Sequence, residues 1–324
     1  MSYAARVARV APVARLALAA CVVVSPRAGA HVLSSAERSS PSFGWSFEPW
    51  VVVLMTLSLA AYVVGYARLR GRARASGPGV GLRRWHLAAF LGGWGALVIA
   101  LMSPLDTLSG ALFSAHMVQH ESMMLLAAPL CVAGRPLGVW IWALPRRARL
   151  WAGSVVRARP FARAWRFLTA PLVAWLLHAL ALWAWHAPGL FEAALAHPWV
   201  HTLQHASFLL TALIFWWTVT GEGARRSTSG HAMLSLFTTM VHTSALGALI
   251  TLSPELWYPS YVEPCSALGI DPLHDQQLGG LIMWVPGAAA YLAGGLLVAG
   301  RWLTRADRQP AYRHEAPRAR GEGA

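Results

Sequence analysis

The feature that most constrains this chain is a series of seven apolar stretches, most of them near the roughly 20 residues that a helix needs to cross a bilayer. The composition agrees, since 56% of the residues are hydrophobic and only 12% are charged, against about 25% charged in soluble domains. Strands of a membrane barrel would alternate apolar and polar residues in segments of about ten, and these stretches do not. The sequence therefore predicts an all-α polytopic membrane bundle of seven transmembrane helices. The predicted spans are Trp50–Tyr66, Trp85–Met102, Leu112–Val132, Ala170–Trp185, Trp199–Val219, Ala232–Leu252 and Leu278–Ala299.

The arginines predict the orientation of these spans. All 27 basic residues are Arg, and they lie in clusters between the apolar stretches instead of along one polar face. This distribution is typical of topology determinants and argues against a nucleic-acid surface. The segments 68–84, 135–166, 225–226 and 301–320 hold 22 arginines on one side, whereas the mature opposite side has Arg38 alone. The positive-inside rule thus places the mature N-terminus outside and the C-terminus in the cytoplasm.

The two termini are interpreted separately from the spans. Residues 1–30 combine a basic start, a short apolar core and the small residues Ala28-Gly29-Ala30, which predicts a cleaved signal peptide with His31 as the first mature residue. Residues 31–48 are then a periplasmic segment, and residues 49–300 form the transmembrane domain. The basic tail 301–324 is polar with two prolines, and is predicted to be disordered.

Seven of the histidines in or at the ends of the predicted spans lie away from the cytoplasmic ends. With a rise of about 1.5 Å per residue, three of them fall within roughly 6 Å of the outer edge and four fall roughly 9–15 Å below it. His116/His120 and His201/His205 have i, i+4 spacing, which puts both imidazoles of each pair on one helical face. Polar side chains in a bilayer usually face the bundle interior and serve binding, transport or catalysis. The sequence therefore predicts a metal site in a pocket open toward the periplasm, with the ligand candidates His116, His120, His201, His205, His186, His242 and His178.

The nature of the metal is left open by the residue types. Imidazole suits zinc, copper and iron alike, whereas a thioether favours Cu(I), so Met117 and Met283 are added as candidate ligands. Cys131 and Cys265 are too far apart in sequence for a CxxC site, although Cys265, in an outer loop, is a possible soft ligand. Glu121 directly follows His120 and points about 100° away from it on the helix.

Several stretches resemble the seven-helix CtaG family of cytochrome c oxidase assembly factors over roughly residues 85–299. The first is His116-Met117-Val118-Gln119-His120 followed by Ala127-Ala128-Pro129-Leu130. The others are Leu182-Trp183-Ala184-Trp185-His186-Ala187-Pro188, His201-Thr202-Leu203-Gln204-His205, Phe215-Trp216-Trp217, Leu246-Gly247-Ala248-Leu249 with Tyr258-Pro259, and Asp275-Gln276-Gln277-Leu278-Gly279-Gly280-Leu281-Ile282-Met283-Trp284.

The resemblance implies a non-enzymatic factor that matures a haem–copper terminal oxidase. Copper supply to the oxidase catalytic subunit is the implied task, with a periplasmic copper donor as a further partner and with membrane lipid around the spans. The outer histidines would then take up Cu(I) and pass it laterally to the partner, since neutral imidazoles hold Cu(I) with a low coordination number.

Two other functions remain open on the residues alone. In a zinc-dependent membrane hydrolase, three histidines would hold the metal, Asp106 or Asp275 would position water, and Ser103 or Ser114 would be the oxyanion partner. In a b-type haem protein, His120 or His178 would face His205 or His242 as axial ligands. A metal transporter is disfavoured, because no polar residues mark a path through the cytoplasmic half.

Overall fold

A computed structural model describes residues 43–75, 84–220 and 229–306, together with residues 39 and 41. These residues are helical or irregular, and no strand occurs among them. The predicted signal peptide, His31, the arginines at 225 and 226 and the tail beyond residue 306 lie outside the described residues, so what was predicted for them stays a prediction.

The helices follow one another with short connections. In chain order they are α1 (Pro49–Ala75), α2 (Arg84–Met102), α3 (Pro104–Ser109), α4 (Phe113–Glu121), a π-helical segment (Ser122–Ala127), α5 (Ala128–Ala133), α6 (Pro136–Ala143), α7 (Arg146–Arg157), α8 (Arg159–Leu168), α9 (Pro171–His186), α10 (Pro188–Ala196), α11 (Pro198–Val219), α12 (Ser229–Thr251), a 3₁₀ turn (Pro259–Tyr261), α13 (Val262–Ala267) and α14 (Pro272–Ala306).

Five of these helices, α1, α2, α11, α12 and α14, are long and apolar enough to cross a membrane. Two bent pairs add up to two further spans: residues 113–133 meet α6 at 59°, and α8 meets α9 at 64°. The described residues thus contain five to seven candidate spans, and the predicted number of seven and the predicted orientation stay predictions. Residues 146–168, which lie between the third and fourth predicted spans, form the two helices α7 and α8.

The π-helical segment in the third apolar stretch has an identifiable cause in Pro129. Proline has no N–H to donate, so the regular hydrogen-bond ladder cannot continue through it. Ala128 donates its N–H to the carbonyl of Met123, five residues back. The indole of Trp216 on α11 donates to the next carbonyl, that of Met124, at 2.9 Å. The helix therefore passes from α4 into a π segment directly after His120 and Glu121.

Close packing of α12 against α14 depends on glycines. A Cβ at Gly280 would lie 2.5 Å from the hydroxyl oxygen of Thr251, and one at Gly247 would lie 2.8 Å from the carbonyl of Gly280. On the other side of α14, a Cβ at Gly279 would lie 2.3 Å from the ring of Phe113. These small residues let α14 contact both α12 and α4.

The N-terminus of α4 is capped by a side chain of another helix. Leu112, the residue at its N-cap position, offers no side-chain hydrogen bond. The carboxylate of Asp275 on α14 instead accepts hydrogen bonds from the N–H of Phe113 at 2.6 Å, from the N–H of Ser114 at 3.4 Å and from the Ser114 hydroxyl. An anion at this position also interacts favourably with the helix dipole. Asp275 thus fixes the start of the helix that carries His116 and His120.

The bundle has two chemically different ends. One end, which we call the arginine end, carries Arg68 and Arg72 on α1, Arg84 on α2, the α7–α8 pair and Arg301 on α14. At the opposite end, which we call the histidine end, α4 and α11 begin and α9 finishes. Between the two ends, many apolar side chains of the spans are exposed, for example Leu172 at 67%. Such exposure is expected for helices whose solvent is lipid.

Candidate metal centre

Five histidines from three helices converge at the histidine end of the bundle. Two lie in the first turns of their helices, His116 on α4 and His201 on α11, and His186 is the last residue of α9. His120 and His205 lie one turn further in, as the i, i+4 spacing requires. His116 and His120 are 1% exposed, and His186 is 2% exposed.

The ring distances show one continuous cluster. Within the two pairs, the centroids are 4.3 Å apart for His116–His120 and 4.1 Å apart for His201–His205. Across the helices, His116 lies 5.4 Å from His201, and His120 lies 5.2 Å from His205 and 6.4 Å from His186. One potential ligand nitrogen from each of His116, His120 and His205 lies within 4.8 Å of those of the other two. We call the five residues His116, His120, His186, His201 and His205 the histidine cluster.

Two members of the cluster have a defined tautomer. The Nδ1 of His186 lies 2.7 Å from the carbonyl of Leu182. The Nδ1 of His116 lies 3.3 Å from the carbonyl of Ser109 and 3.0 Å from the hydroxyl of Tyr261. A carbonyl can only accept, so the proton is on Nδ1 in both rings and Nε2 presents a lone pair. This arrangement, with Nδ1–H bound to a carbonyl and Nε2 available, is common for imidazoles that bind metal ions.

The Nε2 atoms are what make the cluster suitable for a ligand. Buried polar atoms normally have hydrogen-bond partners. Among the described residues, no partner is found for the Nε2 of His116, His186 or His205, or for either nitrogen of His120. The residues present therefore fit a metal ion held by neutral imidazoles. Nitrogens on one ion lie about 2.0 Å from it and hence roughly 3.3 Å apart, so the three rings within 4.8 Å need only small rotations to meet it.

Aromatic side chains close the cluster on both sides. The ring of Phe208 lies 4.7 Å from that of His120 on the inner side. On the outer side, Phe191 of α10 lies 5.1 Å from His116, and the hydroxyl of Tyr258 donates to the carbonyl of His186 at 2.8 Å. The hydroxyl of Tyr261 also donates to the carbonyl of Ser109 at 3.1 Å. The histidines converge as expected, but Phe191, Tyr258 and Tyr261 cover the pocket that was expected to be open.

The two tyrosines of this cover stay protonated. Burial raises the pKa of the Tyr261 phenol well above its usual value, and the nearby Asp275 carboxylate adds to the effect. Burial likewise raises the pKa of Tyr258, with a contribution from Glu192. Both hydroxyls are therefore neutral donors. The hydroxyl of Ser260 and its N–H, at 3.3 Å, bond to Glu192 and link the 3₁₀ turn to α10.

His178 and His242 are not part of the histidine cluster. The two nitrogens of His178 lie 3.2 Å from the hydroxyls of Thr211 and Tyr291. The Nδ1 of His242 accepts a hydrogen bond from the indole of Trp183 at 3.4 Å. His178 therefore serves as a hydrogen-bonded link between α9, α11 and α14, which is the ordinary role of a polar residue within a bundle.

The two candidate methionine ligands lie in the apolar core next to the cluster. Met117 is fully buried and Met283 is 2% exposed, and both belong to a core with Phe113, Phe191 and Leu246. Met117 faces α14, because a Cβ at Gly279 would lie 3.3 Å from its Cγ. Packing thus accounts for Met117 without a metal.

The remaining candidate residues have identifiable structural contacts. Burial, followed by Asp275, raises the pKa of Cys265 to about 12, so this residue is a neutral thiol that faces the carbonyl of Ala111 and the Asp275 carboxylate. Asp106 accepts hydrogen bonds from Gln119 at 2.7 Å and from Ser46 at 2.6 Å. Ser103 caps α3 by accepting from the N–H of Leu105. Like Asp275 and Ser114, Asp106 and Ser103 form hydrogen bonds that stabilise helix ends.

Glu121 points away from the cluster, as its position on the helix predicts. A Cβ at Gly287 of α14 would lie 3.3 Å from its carboxyl oxygen Oε2. No hydrogen-bond partner is found for this oxygen among the described residues. The contact places Glu121 between α4 and α14, next to the π segment.

Sequence reasoning missed three polar residues near the histidines. Gln119 and Gln204 are fully buried. Gln119 donates to the carbonyl of Ala100 at 2.7 Å, and Gln204 lies beside His116. Both occur in the pattern H-x-x-Q-H, which is present once on each helix and could have marked them. Tyr261 lies in a connecting segment with no periodic pattern, so no sequence signal pointed to it.

Three known proteins of mycobacteria are similar to this chain. Uncharacterized proteins of Mycobacterium bovis and Mycobacterium tuberculosis are each 26% identical to this chain over 281 residues, and one of Mycobacterium leprae is 28% identical over 284 residues. In each case the match covers 84% of this chain and 41% of the relative, so the chain spans about two fifths of the length of these relatives. No solved structure matches the chain.

The family assignment comes from the sequence pattern of the cytochrome c oxidase caa3 assembly factors, which matches residues 60–305. This range includes every member of the histidine cluster and most of the described helices. The chain therefore belongs to the cytochrome c oxidase caa3 assembly factor family.

Proposed function

We propose that this protein is an assembly factor for a haem–copper cytochrome c oxidase that binds Cu(I) in the histidine cluster and supplies it to the oxidase catalytic subunit. The family supports the assembly role. The observation that carries the copper role is the convergence of buried imidazole nitrogens that have no hydrogen-bond partner among the described residues. In this proposal the histidine end faces the periplasm of a bacterial inner membrane, and a periplasmic protein donates the metal.

The charge of the cluster favours Cu(I) over a divalent ion. Among the described residues, the group of potential ligands that meet within 4.8 Å consists of three imidazoles and contains no thiol or carboxylate. Imidazole ligands are neutral, so the full charge of the ion remains in an apolar environment. The cost of burying a charge rises steeply with its magnitude, so one positive charge is tolerated better than two.

Two of the residues proposed for the hydrolase and haem alternatives have other contacts. The carboxylate of Asp275 is held by the N-terminus of α4. Both nitrogens of His178 lie at hydrogen-bond distance from hydroxyls. These contacts argue against Asp275 as the residue that positions water and against His178 as a haem ligand, and one preparation distinguishes copper, zinc and haem.

The first test is elemental analysis and an optical spectrum of the purified full-length protein after anaerobic loading with Cu(I). We expect bound copper that is lost when His120 and His205 are both replaced by Ala. His274→Ala is the matched control, because this histidine is 80% exposed at the same end of the bundle. The double variant with Asn in place of Ala keeps polar side chains in the pocket and guards against loss of the fold, which circular dichroism monitors.

Three outcomes would contradict the proposal. Copper stoichiometry that is unchanged in the double variants would exclude the cluster as the site. Retained zinc with no competition from Cu(I) would favour the hydrolase, and a Soret band would favour haem.

The role in assembly is measured separately, as the copper content of oxidase in membranes from cells that carry only the variant. That content should fall with His120→Asn and remain normal with His274→Ala.

A further inference from the structure

The helices α7 and α8 form a surface feature that the histidine cluster does not explain. They connect α6 to α9 at the arginine end of the bundle, and neither helix contains a buried residue. α8 meets α9 at 64°, and the two helices together form one of the bent pairs that could be a span. The bend turns α8 away from the axis of α9 at the arginine end.

The sequence of α8 separates charge from apolar surface. Its three arginines, Arg159, Arg163 and Arg166, are spaced i, i+4, i+7 and share one face. Phe161, Trp165 and Leu168 have the same spacing on the opposite face. The ring of Trp165 lies 6.0 Å from that of Trp217, near the end of α11, whereas Phe161 and Leu168 on the same face stay exposed, at 41% and 36%.

The α8 arginines have no carboxylate partner in the part of the chain that the structure describes. The same holds for the four arginines of α7. Other arginines of this end have different contacts, since Arg68 donates to the carbonyls that end α6, and Arg72 and Arg149 stack on the ring of Trp142. The α8 face is therefore strongly positive and attracts anions.

We propose that α7 and α8 form a binding site for anionic phospholipid headgroups in the leaflet at the arginine end. Guanidinium groups bind phosphate through paired N–H donors. An amphipathic helix at a bilayer surface places its apolar face at the acyl boundary and its arginines at headgroup level. Trp151 and Phe167, which are 68% and 65% exposed beside the arginines, fit this boundary. An acidic peptide or an RNA would leave both rings in water.

The test counts phospholipids that remain bound to the full-length protein. The protein is reconstituted in vesicles of equimolar phosphatidylglycerol and phosphatidylcholine and extracted with mild detergent, and the retained lipid is counted by mass spectrometry. The variant replaces Arg159, Arg163 and Arg166 with Gln. The matched control replaces Arg70, Arg84 and Arg301, which are exposed at the same end, and so removes the same charge.

We expect phosphatidylglycerol to be enriched on the wild type and on the control, and the enrichment to fall by about tenfold or more in the α8 variant, because each arginine near an anionic surface contributes roughly fivefold. The enrichment should also fall with added salt. A second variant with Lys at the three positions keeps the positive charge but loses the paired N–H donors of the planar guanidinium group. Its enrichment in phosphatidylglycerol should lie between that of the wild type and that of the Gln variant.

Equal enrichment in the wild type and the α8 variant would overturn the proposal, as would an equal loss in the α8 variant and the control. A separate binding experiment adds polyglutamate or inorganic phosphate to the extracted protein. Binding of polyglutamate that depends on the α8 arginines, without enrichment of phosphatidylglycerol, would assign the surface to an acidic protein partner instead. Single replacement of Arg163 is used if the triple variant fails to fold, and it should lower the enrichment by about fivefold.

Discussion

Removal of the Asp275 carboxylate should destabilise the protein by about 3 kcal/mol, because this side chain caps α4 from α14. In Asp275→Ala, the N–H of Phe113 loses a 2.6 Å hydrogen bond to a charged acceptor, and the Ser114 hydroxyl loses its contact as well. Each such bond contributes roughly 1.5–3 kcal/mol when the acceptor is ionised. The two contacts from the N–H of Ser114 are 3.4 Å long and add little.

The conservative variant tests the charge separately from the hydrogen bond. Asp275→Asn keeps one oxygen that can accept from Phe113 but loses the negative charge at the helix N-terminus. The expected loss is about 1 kcal/mol, which is the usual size of a charge–dipole interaction. Glu263→Gln is the control, because Glu263 is an exposed carboxylate in the segment between α12 and α14. It should change the free energy of unfolding by less than about 0.5 kcal/mol.

The assay is reversible unfolding in mixed micelles with increasing dodecyl sulfate, followed by circular dichroism at equal protein concentration. The order of stability should be Glu263→Gln, then Asp275→Asn, then Asp275→Ala. If Asp275→Ala is as stable as the control, the carboxylate does not cap α4, and the account of how His116 and His120 are positioned is wrong. If the Asn and Ala variants are equally destabilised, the charge dominates and the hydrogen bond to Phe113 contributes little.

Three further predictions follow from single contacts. Gly280→Leu should prevent α14 from approaching α12 and lower the unfolding midpoint strongly or abolish folding, whereas Gly295→Leu, with open space around it, should be tolerated; both are measured by the same unfolding assay. Trp216→Phe should cost about 1–2 kcal/mol of unfolding free energy, because the carbonyl of Met124 loses its donor within the membrane. Tyr261→Phe should lower Cu(I) affinity by roughly 10- to 100-fold in a chelator competition while the helical content stays unchanged, since the hydroxyl orients an imidazole of the cluster.

The convergence of the two histidine pairs could be predicted from the sequence, because i, i+4 spacing defines a helical face and the bilayer forces polar faces inward. Depth alone did not predict which other histidines join them. His178 has a depth similar to that of His120, but its partners Thr211 and Tyr291 lie on other helices and only the packing reveals them. The role of the five rings as metal ligands stays a prediction.

The number of spans illustrates a second limit. Pro136 and Pro171 each begin a helix directly after a bend, at 59° and 64°. A hydropathy scan does not detect such bends, because it counts apolar residues and contains no information on the direction of the helix axis. Of the five unbroken helices, α2, α11 and α12 were predicted to within about three residues at each end, whereas α1 and α14 extend well beyond the predicted spans. The angles of the other two stretches depend on tertiary contacts. One such contact is the hydrogen bond from Tyr62 to the carbonyl of Gly134.

Under the proposed function, the cover of the cluster and the orientation of its ligands are not independent. Tyr261 both closes the outer side and bonds to Nδ1 of His116, and Tyr258 bonds to the carbonyl of His186. Any movement that uncovers the histidines must break these hydrogen bonds, and loss of the bond to Nδ1 lets the ring rotate and weakens its Nε2 as a ligand. Opening would therefore lower metal affinity at the moment when the metal becomes accessible. A site built in this way is suited to transfer to a partner more than to storage.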